Sequence, residues 1–166
     1  MLYMAYGSNL DVTQIQDRCP NARYIGKSSL AGYKLVFNRH ATIVKSKGSV
    51  VPIVVFDLTD EDIVKMDMYE GVHSNTYKKH YLPIIIEDLE IQALCYIKDI
   101  GKRVDPDYPY VKKILSAYKF WNFDLKFPDI YARLTELLQL LKEEYEKDVR
   151  YSSYDHFIRG RSFSRK

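Results

Sequence analysis

The hydrophobic period of this chain changes near residue 100, and that change limits the folds open to it. Before it, apolar residues alternate or run in short blocks bounded by glycine and polar turns, as in Leu2-Tyr3-Met4-Ala5, Tyr33–Asn38, Val50–Leu58, Tyr77–Ile86 and Glu90–Lys98. Alternation and short valine- and isoleucine-rich runs are strand signals. After it, Pro109–Trp121 reads as a helix, and Ile130, Leu134, Leu137, Leu138, Leu141 and Tyr145 fall on one face of a second, longer one. Strands first and helices afterwards, with one helix inserted, predict an α+β protein. Its sheet is expected to be mixed, mostly antiparallel, and curled into a barrel-like shape with surrounding helices. With 166 residues, one domain is expected. It spans 1–148, with 132–148 as the long C-terminal helix and 149–166 as a basic tail. The apolar stripe of that helix must dock on the sheet or on a second copy of the chain in a homodimer.

Local signals fill in the order. After the first strand, Asp11 or Asn9 caps a helix carrying Val12 and Ile15, ended by Pro20. A strand at Ala22–Ile25 precedes Tyr33–Asn38. Ala41–Val44 and Val50–Leu58 are expected to pair through a hairpin turn at Lys47-Gly48-Ser49, with Pro52 marking an edge or a bulge. Thr59 opens a helix whose first turn is acidic, Asp60-Glu61-Asp62, and Gly71 sits where a helix C-cap glycine belongs. Glu70 therefore stands at the carboxyl end, expected to be exposed. An acidic turn, Glu87-Asp88, joins the last two strands.

Charge and composition exclude several classes. The net charge of +3 is concentrated at the end of the chain, where Arg150, Arg159, Arg161, Arg165 and Lys166 face only Asp155. A near-neutral body offers no channel for nucleic acid. No apolar run is long enough to span a membrane, and no charged n-region precedes an apolar h-region, so a cytoplasmic protein is expected. Cys19 and Cys95 make no disulfide framework, and alternation places Cys95 in the core. The histidines, His40, His73, His80 and His156, show no metal-ligand spacing and are read as surface or structural groups. No metal and no cofactor is implied. Ser8 lacks the second glycine of a nucleophile elbow.

The turn Tyr6-Gly7-Ser8-Asn9-Leu10 remains. Glycine at a strand-to-helix junction permits close approach, and successive amides at a helix start favour an anion or a polarised carbonyl oxygen. Glu70, opposed by the dipole of its own helix, should hold its proton more tightly than an ordinary carboxylate. An anion-cradling loop and one carboxylate of raised pKa suffice for acid–base chemistry.

These two motifs resemble the signatures of the gamma-glutamylcyclotransferase family. Leu2-Tyr3-Met4-Ala5-Tyr6-Gly7-Ser8-Asn9-Leu10 is similar to the family's first strand and loop, and Asp67-Met68-Tyr69-Glu70-Gly71-Val72 with Tyr77 fits its Glu-Gly-Val motif. The likeness covers about residues 2–122. The glutathione-specific branch has Tyr-Gly-Ser-Leu where Asn9 stands here, so the resemblance points to the broad, AIG2-like branch acting on gamma-glutamyl amino acids or gamma-glutamyl amines.

The resemblance implies a gamma-glutamylcyclotransferase-like fold and an enzyme that cyclises a small gamma-glutamyl substrate to 5-oxoproline. Glu70 is the implied acid/base. Tyr3, Met4, Ala5, Tyr6, Gly7, Ser8 and Asn9 are the implied substrate-binding residues, together with Tyr77 and Tyr110, and Tyr96 is a further candidate for the pocket wall. The alternative is a non-catalytic small-molecule or protein-binding module on the same fold.

Overall fold

The computed structural model describes residues 1–101 and 104–160, with side chains followed through 149. In chain order the elements are β1 (Leu2–Ala5), α1 (Val12–Arg18), β2 (Arg23–Asn38), β3 (His40–Asp57), α2 (Asp60–Tyr69), β4 (Lys78–Ile86), β5 (Leu89–Ile97), α3 (Tyr108–Phe120), α4 (Phe123–Lys126) and α5 (Pro128–Gly160). Short 3-10 turns at Ser8–Leu10 and Val72–Ser74 follow β1 and α2.

The five strands form one α+β sheet in the order β2-β3-β1-β5-β4. Only β1 and β5 run parallel; every other neighbouring pair is antiparallel. β1 lies at the centre, which is why Met4 and Ala5 are fully buried and the run is apolar without alternation. The sheet rolls enough for the Ser28 hydroxyl on β2 to donate to the Ile85 carbonyl on β4 at 2.5 Å. It does not close, because β2 and β4 share no ladder, so the expected barrel is an open, curled sheet.

The hairpin expected at Lys47-Gly48-Ser49 is absent. β2 and β3 form one long ribbon from Arg23↔Asp57 to Asn38↔His40, reversing at Arg39 with φ 61°. Pairing slips between Ala31 and Tyr33, whose partners are Val50 and Lys45. Gly32 (φ 77°) and Gly48 (φ 78°) both adopt the left-handed conformation there. The glycines bend the ribbon at a bulge instead of ending its strands, a use of glycine that leaves the same local signal as a turn. Pro52 falls just beyond the reach of β1, which pairs only with Val54–Asp57. The turn between β4 and β5 is as expected, with Glu87 and Asp88 both at positive φ.

Capping follows the sequence at three helices. Asp11 accepts the Gln14 amide at 2.8 Å, Asp107 accepts the Tyr110 amide at 2.8 Å, and Thr59 and Asp62 form a reciprocal capping box. The stripe of α5 docks mainly on α3 and α4, and its first turns, with Ile130 and Leu134, also face Leu35 and Val50 of the sheet across a shared cavity. Leu134 and Leu141 are buried there, and Tyr145 stacks on Tyr108 with ring centroids 5.2 Å apart. The helix starts earlier than residue 132 and its backbone runs on to Gly160. Of the expected basic tail, residues 161–166 and all side chains beyond 149 lie outside the described residues. No described helix is long and apolar enough to cross a membrane.

Candidate active site

One cavity of about 320 Å³ opens where the carboxyl ends of β1 and α2 meet α1 and α3. The Tyr6–Asn9 loop forms one wall. Gly7 is required by a close approach, since a Cβ there would stand 3.0 Å from the Ala41 Cβ and 3.6 Å from the Tyr110 hydroxyl. The first bonded amide of the 3-10 turn is that of Leu10, which donates to Gly7 at 3.0 Å. The amides of Gly7, Ser8 and Asn9 therefore precede the turn's own hydrogen bonds.

Asp11, not Asn9, caps α1, which frees the Asn9 side chain for the opposite wall. Asn9 Nδ2 donates to Tyr3 Oη at 2.8 Å and to Glu70 Oε1 at 3.3 Å. Its Oδ1 accepts from Gln14 Nε2 at 3.0 Å and from Arg18 Nη1 at 2.9 Å. Gln14 also donates to Ser8 Oγ at 2.8 Å and is tied to α3 by Lys113 Nζ at 2.8 Å. A single network thus joins the loop, α1 and the end of α2.

Glu70 follows the last turn of α2, where its amide reaches back to the Met66 carbonyl at 2.9 Å. Gly71 then takes φ 63° and turns the chain away; a Cβ there would meet Ser74 Oγ at 2.9 Å. The expected exposure of Glu70 is corrected here, for its side chain is only 14% exposed. Its pKa is raised, as expected, but the leading cause is burial, opposed first by Arg18 and then by the Asn9 hydrogen bond. Arg18 Nη1 lies 3.5 Å from Glu70 Oε1, and its guanidinium carbon sits 4.9 Å from the Tyr69 ring centroid.

Three tyrosines complete the walls, each with its hydroxyl engaged. Tyr77 Oη donates to the Ala41 carbonyl at 2.8 Å, and Tyr110 Oη accepts the Ala41 amide at 3.0 Å. Tyr96 Oη donates to Asp67 Oδ1 at 2.7 Å, while Lys79 Nζ pairs with Asp67 Oδ2 at 2.5 Å. Tyr6 donates to the Tyr96 carbonyl. Burial raises the pKa of Tyr77, Tyr96 and Tyr110, so all three remain hydrogen-bond donors at neutral pH.

Of the residues singled out from the sequence, Tyr3, Tyr6, Gly7, Ser8, Asn9, Glu70, Tyr77 and Tyr110 line the cavity. Met4 and Ala5 do not; both are fully buried in β1, the central strand. Gln14, Arg18, His40 and Thr76 line it as well and were not anticipated. Gln14 and Arg18 share one face of α1 at i, i+4 spacing, a signal that could have been read. His40, read as a surface or structural group, is exposed and packs edge-on against Tyr110 at 5.2 Å, and partial burial followed by the Lys98 charge lowers its pKa. Burial pushes the Cys19 thiol up to about 11, consistent with a structural role.

This arrangement agrees with what similar proteins are. Residues 3–117 match the family model described as gamma-glutamyl cyclotransferase, AIG2-like. The chain is 31% identical over 143 residues to the gamma-glutamylcyclotransferase of Bos taurus, covering 76% of this chain and 74% of that one. To the Homo sapiens gamma-glutamylcyclotransferase it is 30% identical over 141 residues, covering 77% and 75%. A solved gamma-glutamyl cyclotransferase shares the fold with a TM-score of 0.72 at 24% identity, over 86% of this chain and 98% of that one. A crystal structure of an uncharacterized human protein gives 0.73 at 25% identity, over 85% and 97%. The chain belongs to the gamma-glutamyl cyclotransferase, AIG2-like family.

Proposed function

We propose that this protein converts gamma-glutamyl amino acids or gamma-glutamyl amines to 5-oxoproline and the free amine. The observation that carries the reading is Glu70, a mostly buried carboxylate with raised pKa on the wall of a cavity whose other side is the Gly7 loop. Such a group is a proton acceptor suited to near-neutral pH.

The nucleophile comes with the substrate. Its α-amine attacks its own γ-carbonyl carbon, the new carbon–nitrogen bond closes the five-membered ring, and the amide bond to the leaving nitrogen breaks. Tethering makes the attack intramolecular, so the enzyme's task is to fold the substrate into a near-attack shape and move protons. Glu70 takes a proton from the α-ammonium and returns it to the leaving nitrogen, and the second proton lost as the ring nitrogen becomes a lactam passes to the released amine, which departs as its ammonium. Both protein contacts of Glu70 fall on Oε1, which leaves Oε2 for the substrate. Amides of Gly7, Ser8 and Asn9 hold the head group and the oxyanion that develops on the γ-carbonyl oxygen. The cavity suits a dipeptide-sized ligand, at the small end of ligand sites. A cytoplasmic place of action belongs to the same reading, supported by two free cysteines.

The test is direct. Purified protein incubated with gamma-glutamyl dipeptides and gamma-glutamyl amines should release 5-oxoproline with one equivalent of free amine. Binding of these compounds without release would instead identify a non-catalytic module.

A further inference from the structure

Arg18 is a charged group in the cavity for which acid–base chemistry at Glu70 provides no task. Among the described residues that line the cavity, Arg18 and Glu70 are the only Asp, Glu, Lys or Arg side chains. His40, the other group able to carry charge near neutral pH, is pushed toward its neutral form. The site therefore presents one positive and one negative charge, side by side, with Arg18 Nη1 3.5 Å from Glu70 Oε1.

That pair is loose. Nη1 makes its shorter contact, 2.9 Å, to Asn9 Oδ1, and among the described residues no acceptor meets Nε or Nη2. A guanidinium has five N–H donors in a fixed fork, so donors remain for a ligand. The side chain is also held in place, 24% exposed, with its guanidinium against the Tyr69 ring. A fixed, partly desolvated guanidinium with spare donors matches a carboxylate in both charge and shape.

Resting on the cyclotransferase reading, we infer that Arg18 is the receptor for the α-carboxylate of the gamma-glutamyl head. The α-ammonium and α-carboxylate of that head hang on the same carbon, so their receptors must be neighbours. Glu70 takes the ammonium because it must remove its proton, and Arg18 is the cation beside it. The zwitterion exchanges one loose ion pair for two substrate contacts, and the loop amides are left to face the γ-carbonyl oxygen. A consequence concerns the leaving group. Among the described residues no second Lys or Arg lines the cavity, so none of them offers a counter-charge to a carboxylate on the released amine. Substrates need the α-carboxylate of the head and need none on the leaving group, which puts gamma-glutamyl amines on an equal footing with gamma-glutamyl amino acids.

Three compounds test this: gamma-glutamyl-alanine, its α-carboxamide analogue, and gamma-glutamyl-ethylamide, which lacks the leaving-group carboxylate. Wild-type kcat/KM should fall about 10- to 100-fold on the α-carboxamide, the loss of one charge-assisted hydrogen-bonded contact, and stay close to the parent value on the ethylamide. Arg18→Gln should lose a similar factor on the parent and become nearly indifferent to the carboxamide change. Equal losses by Arg18→Gln on all three compounds would overturn the inference, since Arg18 would then act through Glu70 or the fold. A wild-type preference that follows the leaving-group carboxylate would overturn it too. If Arg18→Gln does not fold, Arg18→Lys, which keeps the charge and loses the fork, should lower kcat/KM on the parent and narrow its preference over the α-carboxamide, and an unchanged preference would overturn the inference. Calorimetric binding of the same compounds separates this from the parent reading. Binding that depends on the α-carboxylate without 5-oxoproline release would sink cyclotransferase activity and keep the receptor. Binding indifferent to the α-carboxylate would sink the receptor.

Discussion

Tyr77 and Tyr110 hold the two polar backbone groups of one residue: Tyr77 donates to the carbonyl of Ala41 and Tyr110 accepts its amide. Tyr77 comes from the turn before β4 and Tyr110 from the first turn of α3, so the clamp fastens both to the start of β3. The Cβ of that same Ala41 sets how near the Gly7 loop can come. The cavity is therefore shaped by a three-way contact among loop, strand and helix, and the tyrosines build it whether or not they also touch substrate.

Removing either hydroxyl tests the clamp. Tyr77→Phe leaves the Ala41 carbonyl without its partner, and Tyr110→Phe does the same to the amide. Each should cost about 1–3 kcal/mol of stability, the range for an orphaned buried polar group. Because both changes loosen the same residue, the double variant should lose less than the sum. Denaturant melts of the three variants measure this, and strict additivity would mean the two contacts are independent.

Gly7→Val probes the other side of the contact. The first atom of the new side chain already meets Ala41 at 3.0 Å, so the loop or the strand must move. Affinity should drop for every gamma-glutamyl compound alike, whatever amine is released, because the head group's wall has shifted. Unchanged affinity across the series would place the ligand away from this loop.

For Glu70, stability and activity should move in opposite directions. Glu70→Gln keeps the shape and removes proton transfer, so turnover should fall about 10²- to 10⁴-fold. Near-normal 5-oxoproline formation by the variant would refute the assigned role. The folded-state pKa of Glu70 is raised by burial above its unfolded value of about 4.3. A raised group favours the fold fully below its unfolded pKa and loses that contribution as pH rises through the folded pKa. Wild type and Glu70→Gln should thus melt alike in acid, and the variant should gain on wild type as pH climbs to neutrality. Paired thermal melts across that range check the sign.

Much of this site was legible because its motifs are local. A short apolar run into Gly7, and Glu70 placed by Gly71 just after a helix, are statements about neighbours in sequence, and the backbone at Gly71 (φ 63°) enforces the second. What sequence could not supply was depth. Exposure of Glu70 was inferred from its place at a helix end, yet α1 lies against α2 and carries Arg18 and Gln14 into the same space. His40 was passed over because nothing near it in the chain looks like a site; it reaches the cavity only through the long β2–β3 ribbon. That ribbon was also where the fold was misread, since a glycine that bends a strand and one that ends it look the same along the chain. The α5 stripe announced burial, but the chain alone did not name α3 and α4 among the surfaces it covers.

Gly71→Ala should injure both the fold and the chemistry. Its Cβ would lie 2.9 Å from Ser74 Oγ and 3.1 Å from Thr76 Cβ, on a backbone that L side chains rarely adopt. A cost of about 1–3 kcal/mol is expected from the strain. Because the neighbouring residue is Glu70, kcat should fall even at temperatures where the variant is fully folded. A variant that lost stability with kcat intact would show that Glu70 is positioned by its network with Asn9 and Arg18 and not by the turn.

The C-terminal helix offers a prediction that separates packing from catalysis. Leu134 and Leu141 are buried against the rest of the domain, and Tyr145 stacks on Tyr108 in the first turn of α3, two residues before Tyr110. Beyond Val149 the sequence turns to Ser152-Ser153, Gly160 and scattered arginines, with little apolar surface to bury. Removal of residues 150–166 should leave the melting temperature and 5-oxoproline formation unchanged. Removal from Ile130 onward should abolish cooperative unfolding, because α3 then loses its cover while still carrying Tyr110 into the site. An intermediate truncation after Leu141 discards Tyr145 alone among the packed aromatics, so it should lower stability and raise KM through α3. If the shortest truncation lost activity with an unaltered melt, the basic segment would have to reach the cavity and act on substrate there.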